Sequence, residues 1–82
     1  SPALLNNLAW AYLQTDNFLA AEQHSSRAYA IAPKIAEIAD TYGWVLLKAG
    51  KHDKAKEILE IASNLAPGNA EIASHLKEAR DM

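Results

Sequence analysis

The sequence contains no cysteine, which excludes a disulfide framework, a thiolate zinc site and a cysteine nucleophile. It has only three glycines and three prolines, and half of its 82 residues are hydrophobic, so it is neither collagen-like nor a disordered tail. Basic residues are not in excess, because eight lysines and arginines face ten acidic residues; this balance argues against nucleic-acid binding. No apolar run approaches the ~20 residues that span a bilayer, so we predict no membrane insertion by this segment.

Catalytic motifs are also missing from the sequence. No glycine-rich phosphate loop occurs, and the three histidines form no arguable pair of nucleophile and base. Glu71, His75 and Glu78 have the i, i+4, i+7 spacing of one helix face and could ligate a metal ion, but a solvated helix face is the simpler interpretation. We therefore predict no enzymatic activity, no bound metal and no cofactor.

An internal repeat with a period of 34 residues is the main feature of the chain, and Pro67 follows Pro33 at that distance. The segment Ala36–Ala39 recurs in identical form as Ala70–Ala73. Further identical residues recur at the same offset: Trp10 and Trp44, Leu13 and Leu47, Ala21 and Ala55, Ala28 and Ala62. Two periods are complete, and the end of the chain begins a third.

Each period contains two amphipathic helix patterns, and no stretch alternates with the period of a strand. Pro33 and Pro67 end the second helix of each period, and Asn69 is a candidate N-cap. Gly50 can take the left-handed conformation that ends a helix, and Asp16 or Asn17 can approximate it at the equivalent turn. The sequence therefore predicts an all-α fold with helices at residues 2–14, 18–31, 35–48, 52–65 and 69–81.

Small residues predict how these helices pack. Ala9 and Gly43 occupy mid-helix positions in the first helix of each period, where glycine costs about 1 kcal/mol relative to alanine. We expect Ala21 and Ala55 to lie opposite them, so that two antiparallel helices approach closely. One such hairpin cannot bury its apolar face alone, so we expect hairpins to stack into an α-solenoid.

The chain resembles the tetratricopeptide repeat (TPR) family in several positions of each period. These are Leu8, Ala9, Tyr12, Phe18, Ala21, Ala28 and Pro33, then Tyr42, Gly43, Leu46, Gly50, Lys51, His52, Ala55, Leu59, Ala62 and Pro67. The resemblance implies a right-handed α-solenoid of antiparallel helix hairpins. It divides the single domain, residues 1–82, into a repeat at about 2–35, a repeat at about 36–69 and a capping helix at about 70–82.

Two further expectations follow the resemblance. Residues 6–10 and 40–47 are similar to bacterial TPR proteins, including lipoproteins associated with exopolysaccharide and protein-sorting systems. Lys77 and Arg80 stand where a small residue and an aromatic residue would receive a following helix. We therefore expect this segment to be the C-terminal part of a longer array of repeats.

The resemblance also implies that the first helices line a concave face, on which an extended peptide or a partner helix binds. Trp10 and Trp44 occupy equivalent positions and are candidate aromatic anchors for a partner. In the alternative interpretation, both indoles mainly seal the seam between neighbouring first helices. The predicted contact residues are Asn6, Asn7, Trp10, Leu13, Gln14, Glu37, Asp40, Thr41, Trp44, Lys48 and His75.

Some domains of this family hold a peptide's C-terminal carboxylate with a clamp of lysine, asparagine and arginine side chains. The corresponding positions here are Asn6, Trp10, Thr41, Glu71 and His75, which include no lysine or arginine. We therefore predict that acidic chaperone tails do not bind. The predicted partner is a protein or peptide that is neutral to basic and partly apolar.

Charge is distributed unevenly along the chain, since residues 1–34 contain four charged side chains and residues 35–68 contain nine. Solenoids usually need a polar terminal cap, and the N-terminal edge has little polar character. An alternative function is therefore an assembly module that docks upstream repeats through this edge, or associates with itself, with a homodimer as the default.

Overall fold

The computed structural model describes all 82 residues and contains five α-helices and no β-strand, which confirms the predicted all-α fold. The helices are α1 (Pro2–Gln14), α2 (Phe18–Ile31), α3 (Ala36–Lys48), α4 (His52–Leu65) and α5 (Ala70–Arg80). Three helices have the predicted bounds, whereas α3 and α5 begin one residue later than predicted and α5 ends one residue earlier. None of the five combines the length and the apolar character that a bilayer crossing requires.

Local residues set the helix ends. The side chains of Ser1 and Asn69 each accept a hydrogen bond from the backbone amide three residues later, so both cap α-helices. The turns that follow α1 and α3 use the left-handed conformation, with φ of 60° at Asp16 and 85° at Gly50. Both turns were predicted from residue type, because glycine, asparagine and aspartate tolerate this conformation best.

Helix α3 is the centre of the molecule and contacts each of the other four helices. Helices α1 and α2 form one antiparallel hairpin and α3 and α4 form the next, while α5 packs on α3 and α4. The largest apolar cluster joins α3, α4 and α5 through eight buried residues. These are Tyr42, Leu46, Leu47, Ala55, Ile58, Leu59, Leu76 and Ala79.

The close approach of α3 to α4 occurs between Gly43 and Leu59. A Cβ atom built on Gly43 would lie 2.6 Å from Leu59 Cγ and 3.3 Å from the Leu59 backbone nitrogen. The expectation that Ala55 lies opposite Gly43 is therefore wrong by about one helical turn, although Ala55 is fully buried. The reason is the axial offset between the two helices, which places the backbone of Leu59 itself, and not that of Ala55, beside Gly43.

The helices form two rows. Helix α3 contacts α1 on one side and α5 on the other, whereas α2 and α4 have no Cα atoms within 8 Å of each other. Helices α1, α3 and α5 form one row, whose free side is called the inner side below, and α2 and α4 form the other row, whose free side is called the outer side.

Candidate functional site

Two recesses open between α1 and α3. One of about 320 Å³ lies where both helices begin, and one of about 300 Å³ lies where both helices end. Eight of the eleven predicted contact residues line the two recesses. Asn6, Asn7 and Glu37 line the first recess. Trp10, Leu13, Gln14, Trp44 and Lys48 line the second.

Trp10 is fixed to α3 by a hydrogen bond, in which its Nε1 donates to Thr41 Oγ1 at 3.1 Å. The Thr41 hydroxyl itself donates to the carbonyl of Glu37 at 3.0 Å, and the residue is only 1% exposed. Thr41 was predicted as a contact residue, but the structure leaves it no surface for a partner. Its role is to fix the indole of Trp10 through the hydrogen bond to its hydroxyl, a role that the repeat pattern did not indicate.

Trp44 has much of its ring surface covered by side chains of the same chain. The imidazole of His75 stacks on it, with ring centroids 4.0 Å apart and an interplanar angle of 21°. Lys48 Nζ lies 4.1 Å from the ring centroid and also pairs with Glu78 at 3.2 Å. The two tryptophans thus connect neighbouring inner helices, Trp10 with α3 and Trp44 with α5, and present their remaining surface to the second recess.

A buried carboxylate joins α3 to α5. Asp40 is only 4% exposed, and its Oδ1 lies 2.8 Å from Nδ1 of His75. Glu71 lies one turn before His75, and one donor atom from each of the three side chains lies within 4.8 Å of the others. The sequence grouped Glu71 and His75 with Glu78, but Glu78 pairs with Lys48 instead. The third residue of the cluster is Asp40 of α3, which packs against α5. A spacing pattern along α5 alone cannot identify a residue of another helix.

Burial raises the pKa of Asp40 above its ordinary value of 3.8. The hydrogen bond from His75 and its charge act in the opposite direction, whereas the negative charges of Glu71 and Glu37 raise the pKa further. Because burial disfavours the charged carboxylate, Asp40 in its ionised form lowers the stability of the folded state.

We therefore predict that Asp40→Asn is more stable than the wild type at neutral pH, since it keeps the shape of the side chain and removes a buried charge. A carboxyl whose pKa is raised on folding contributes its stabilisation below the unfolded pKa and loses it as pH rises through the folded value. The advantage of the asparagine variant should accordingly shrink as the pH falls toward 4. The test is to measure the urea unfolding midpoints of the wild type and of Asp40→Asn from neutral pH down to about pH 4. A stability difference that grows as the pH falls would contradict the prediction.

Asn6 is a second buried polar group of the inner side. It is 5% exposed and lies at the wall of the first recess, and its Oδ1 has no hydrogen-bond partner in the chain. Buried polar atoms without partners are rare in folded proteins. This oxygen has almost no accessible surface, so it is not exposed to a partner in the recess. The sequence identified the residue as a contact, but its burial and missing partner are visible only in the structure.

The inner side carries an excess of negative charge. Glu37, Asp40, Glu71 and Glu78 lie on α3 and α5, and Lys48 is already bound to Glu78. No lysine or arginine forms an ion pair with the other three carboxylates.

A family model for the tetratricopeptide repeat matches residues 2–35 and 36–69, and the chain belongs to this family. Two curated proteins of Arabidopsis thaliana are similar to it. Protein POLLENLESS 3-LIKE 2 is 41% identical over 75 residues, or 90% of this chain. Protein SULFUR DEFICIENCY-INDUCED 2 is 43% identical over 56 residues, or 68% of this chain. The chain spans only 17% and 18% of the lengths of these relatives.

Solved structures of two other TPR domains are also similar. The first TPR domain of Spaghetti (RPAP3), bound to the HSP90 peptide SRMEEVD, has a TM-score of 0.90 at 26% identity and aligns with 99% of this chain and 64% of its own. The second TPR domain of human RPAP3, in complex with the HSP70 peptide SGPTIEEVD, has a TM-score of 0.89 at 25% identity. The alignment covers 98% of this chain and 67% of that domain's chain. Both confirm the arrangement of two repeats and a capping helix. The similarity to bacterial lipoproteins gains no support, since both curated relatives are plant proteins.

Proposed function

We propose that this chain is a non-catalytic adaptor that binds an extended peptide or partner segment along α1 and α3 on its inner side. The observation that carries the proposal is the pair of recesses that follow one another between these two helices. The first is lined by the exposed amide side chain of Asn7, which can hydrogen-bond to a peptide backbone, and the second is lined by Trp10, which can serve as an apolar anchor. Both similar TPR structures hold peptides, which supports this class of function.

The partner that we infer is neutral to basic and partly apolar. The two peptides in the similar structures are acidic at their C-terminal ends. Here the inner side is itself acidic, and its lysine, Lys48, is held by Glu78 and lies against Trp44. An acidic peptide would meet like charges without a free cation to pair with, so binding would be opposed rather than favoured.

Two defined peptides test the charge of the partner. Fluorescence anisotropy would compare SRMEEVD with a counterpart in which its three acidic residues are replaced by lysine. We expect the lysine counterpart to bind more tightly and the difference to narrow at high salt, because charge attraction is screened. Tighter binding of SRMEEVD would overturn the inferred partner charge, while leaving the adaptor function itself standing.

The binding face is tested with a peptide selected on the wild-type chain from a random library. We expect Trp10→Ala to weaken this peptide at least about tenfold, which is the scale of an aromatic hot spot. Lys56→Glu is the matched control, because Lys56 is exposed on α4 and lies on the outer side. Far-UV circular dichroism confirms that both variants are folded. If Lys56→Glu weakened binding and Trp10→Ala did not, the inner side would be the wrong face.

A second candidate function, docking through the N-terminal edge, is favoured by a comparison within the chain. Leu4 and Leu8 on α1 are exposed, Leu4 by 59%. Their equivalents one period later, Ile38 and Tyr42 on α3, are buried, and Tyr29 of α2 lies against Tyr42 with ring centroids 5.5 Å apart. The face of α1 has the same apolar character but no helix over it. We infer that it receives the second helix of another hairpin, from upstream repeats or from a second copy.

Measurement of the molar mass in solution tests whether the chain associates through its N-terminal edge. Light scattering over a range of concentrations should show association of the wild-type chain, and Leu4→Glu should shift it to the monomer, since a charge cannot be buried in an apolar contact at low cost. A wild-type chain that stays monomeric at every concentration would count against self-association through this edge.

A further inference from the structure

We propose that Asp40, Glu71 and His75 form a binding site for one divalent transition-metal ion of the Zn²⁺ type. The site lies on the inner side, where α5 packs against α3. It combines an imidazole nitrogen with two carboxylate oxygens, and these donors come from two different helices. The proposal concerns these three residues alone and does not depend on the adaptor function.

The donor atoms are close to the spacing that a metal ion requires. Zinc binds nitrogen and carboxylate oxygen at ~2.0–2.2 Å, so neighbouring donors at tetrahedral angles lie ~3.3–3.6 Å apart. The donors of Asp40 and His75 are 2.8 Å apart, so an ion that replaces the shared proton needs an opening of about 0.5–0.8 Å. Glu71 lies within 4.8 Å of both, and its exposed, flexible side chain can close the remaining distance.

Two of the three donors are already held in place. Asp40 lies in the middle of α3 and is buried, and the ring of His75 is stacked on Trp44 with centroids 4.0 Å apart. Stacking restricts rotation of the imidazole and keeps its Nδ1 directed at Asp40. Little conformational freedom is therefore lost when an ion binds, apart from that of Glu71.

The charge around the site is uncompensated. Glu37 adds a third carboxylate near Asp40, and none of the three acidic groups is paired with a lysine or an arginine. A divalent cation would supply the missing positive charge directly between two of them. This distinguishes the cluster from the salt bridge of Lys48 with Glu78 on the same helix pair, which already contains its own cation.

The donor set also indicates which ions fit. Imidazole favours Zn²⁺, Ni²⁺ and Cu²⁺, whereas Mg²⁺ and Ca²⁺ prefer oxygen donors alone. Three protein donors leave at least one coordination position for water. We therefore expect Zn²⁺ to bind and Mg²⁺ to fail at the same concentration.

Isothermal titration of ZnCl₂ into the complete 82-residue chain at neutral pH tests the site. We expect one ion per chain, and a loss of affinity of at least about tenfold in His75→Gln and in Glu71→Gln. Matched controls are His52→Gln and Glu78→Gln, since both residues are exposed and lie outside the cluster; they should bind as the wild type does. Zinc should also raise the melting temperature of the wild type and of both controls, but not that of His75→Gln.

A change in zinc affinity can be assigned to the site because the folding of each variant is checked independently. Glu71 is exposed, so Glu71→Gln removes a donor without touching the core, and circular dichroism verifies the helix content of all four variants. Absence of saturable zinc binding to the wild type would overturn the proposal. Equal affinity in the wild type and in both cluster variants would also overturn it, as would a loss caused by His52→Gln.

Discussion

Replacing Gly43 with alanine will destabilise the fold by about 1–3 kcal/mol, although alanine is the better helix residue by about 1 kcal/mol. The new methyl group would lie 2.6 Å from Cγ and 2.8 Å from Cδ2 of Leu59. Leu59 is fully buried, and its backbone nitrogen also lies only 3.3 Å from the added carbon. The clash therefore cannot be relieved by turning a side-chain tip into solvent, and α3 and α4 must separate.

Urea unfolding of Gly43→Ala measures this effect against Gly68→Ala. Gly68 has no atom within 4 Å of an added Cβ and no positive φ, so its substitution should change the free energy of unfolding by less than about 0.5 kcal/mol. A double-mutant cycle with Leu59→Ala should show that the cost of Gly43→Ala falls when Leu59 is shortened. A Gly43→Ala protein more stable than the wild type would show that the contact is looser than the structure has it.

Replacing Leu46 with alanine will destabilise the fold by about 2–5 kcal/mol, the range for a buried leucine that leaves a cavity. Leu46 is fully buried in the apolar cluster that joins α3 to α4 and α5. Domains of this size are marginally stable, so a loss on this scale removes much of the free energy of unfolding.

Leu19→Ala is the matched control for Leu46→Ala, because it deletes the same atoms from a side chain that is 71% exposed. We expect its free energy of unfolding to stay within about 0.5 kcal/mol of the wild type. Chemical denaturation of the two variants under identical conditions gives the comparison. Similar costs at the two positions would mean that α3 is not the centre of the packing.

Helix α3 connects stability and binding, since one of its sides forms the core and another forms the inner side. Leu46 belongs to the core cluster, whereas Asp40 and Trp44 contact α5 on the inner side. A substitution on α3 can therefore weaken binding simply by loosening the fold. Measuring the free energy of unfolding of each α3 variant beside its affinity separates these two causes.

The sequence by itself determined the helices and their ends. The period of 34 residues, the prolines after the second helices and the residue types at Asp16 and Gly50 are local signals. Helix ends are set by residues within about one turn, and amphipathic spacing marks the helices between them, so these features could be predicted without knowing how the helices pack. The family resemblance and the two-repeat arrangement followed from the same residues.

The tertiary structure decided which side chains meet across helices. It placed Leu59 rather than Ala55 against Gly43, buried Thr41 beneath Trp10, and joined Asp40 to His75 and Glu71. The last three come from α3 and α5, which are separated along the chain by all of α4. A helix period states which residues share a face, but the axial offset and the crossing angle between two helices fix which of these residues touch, and both arise only from packing.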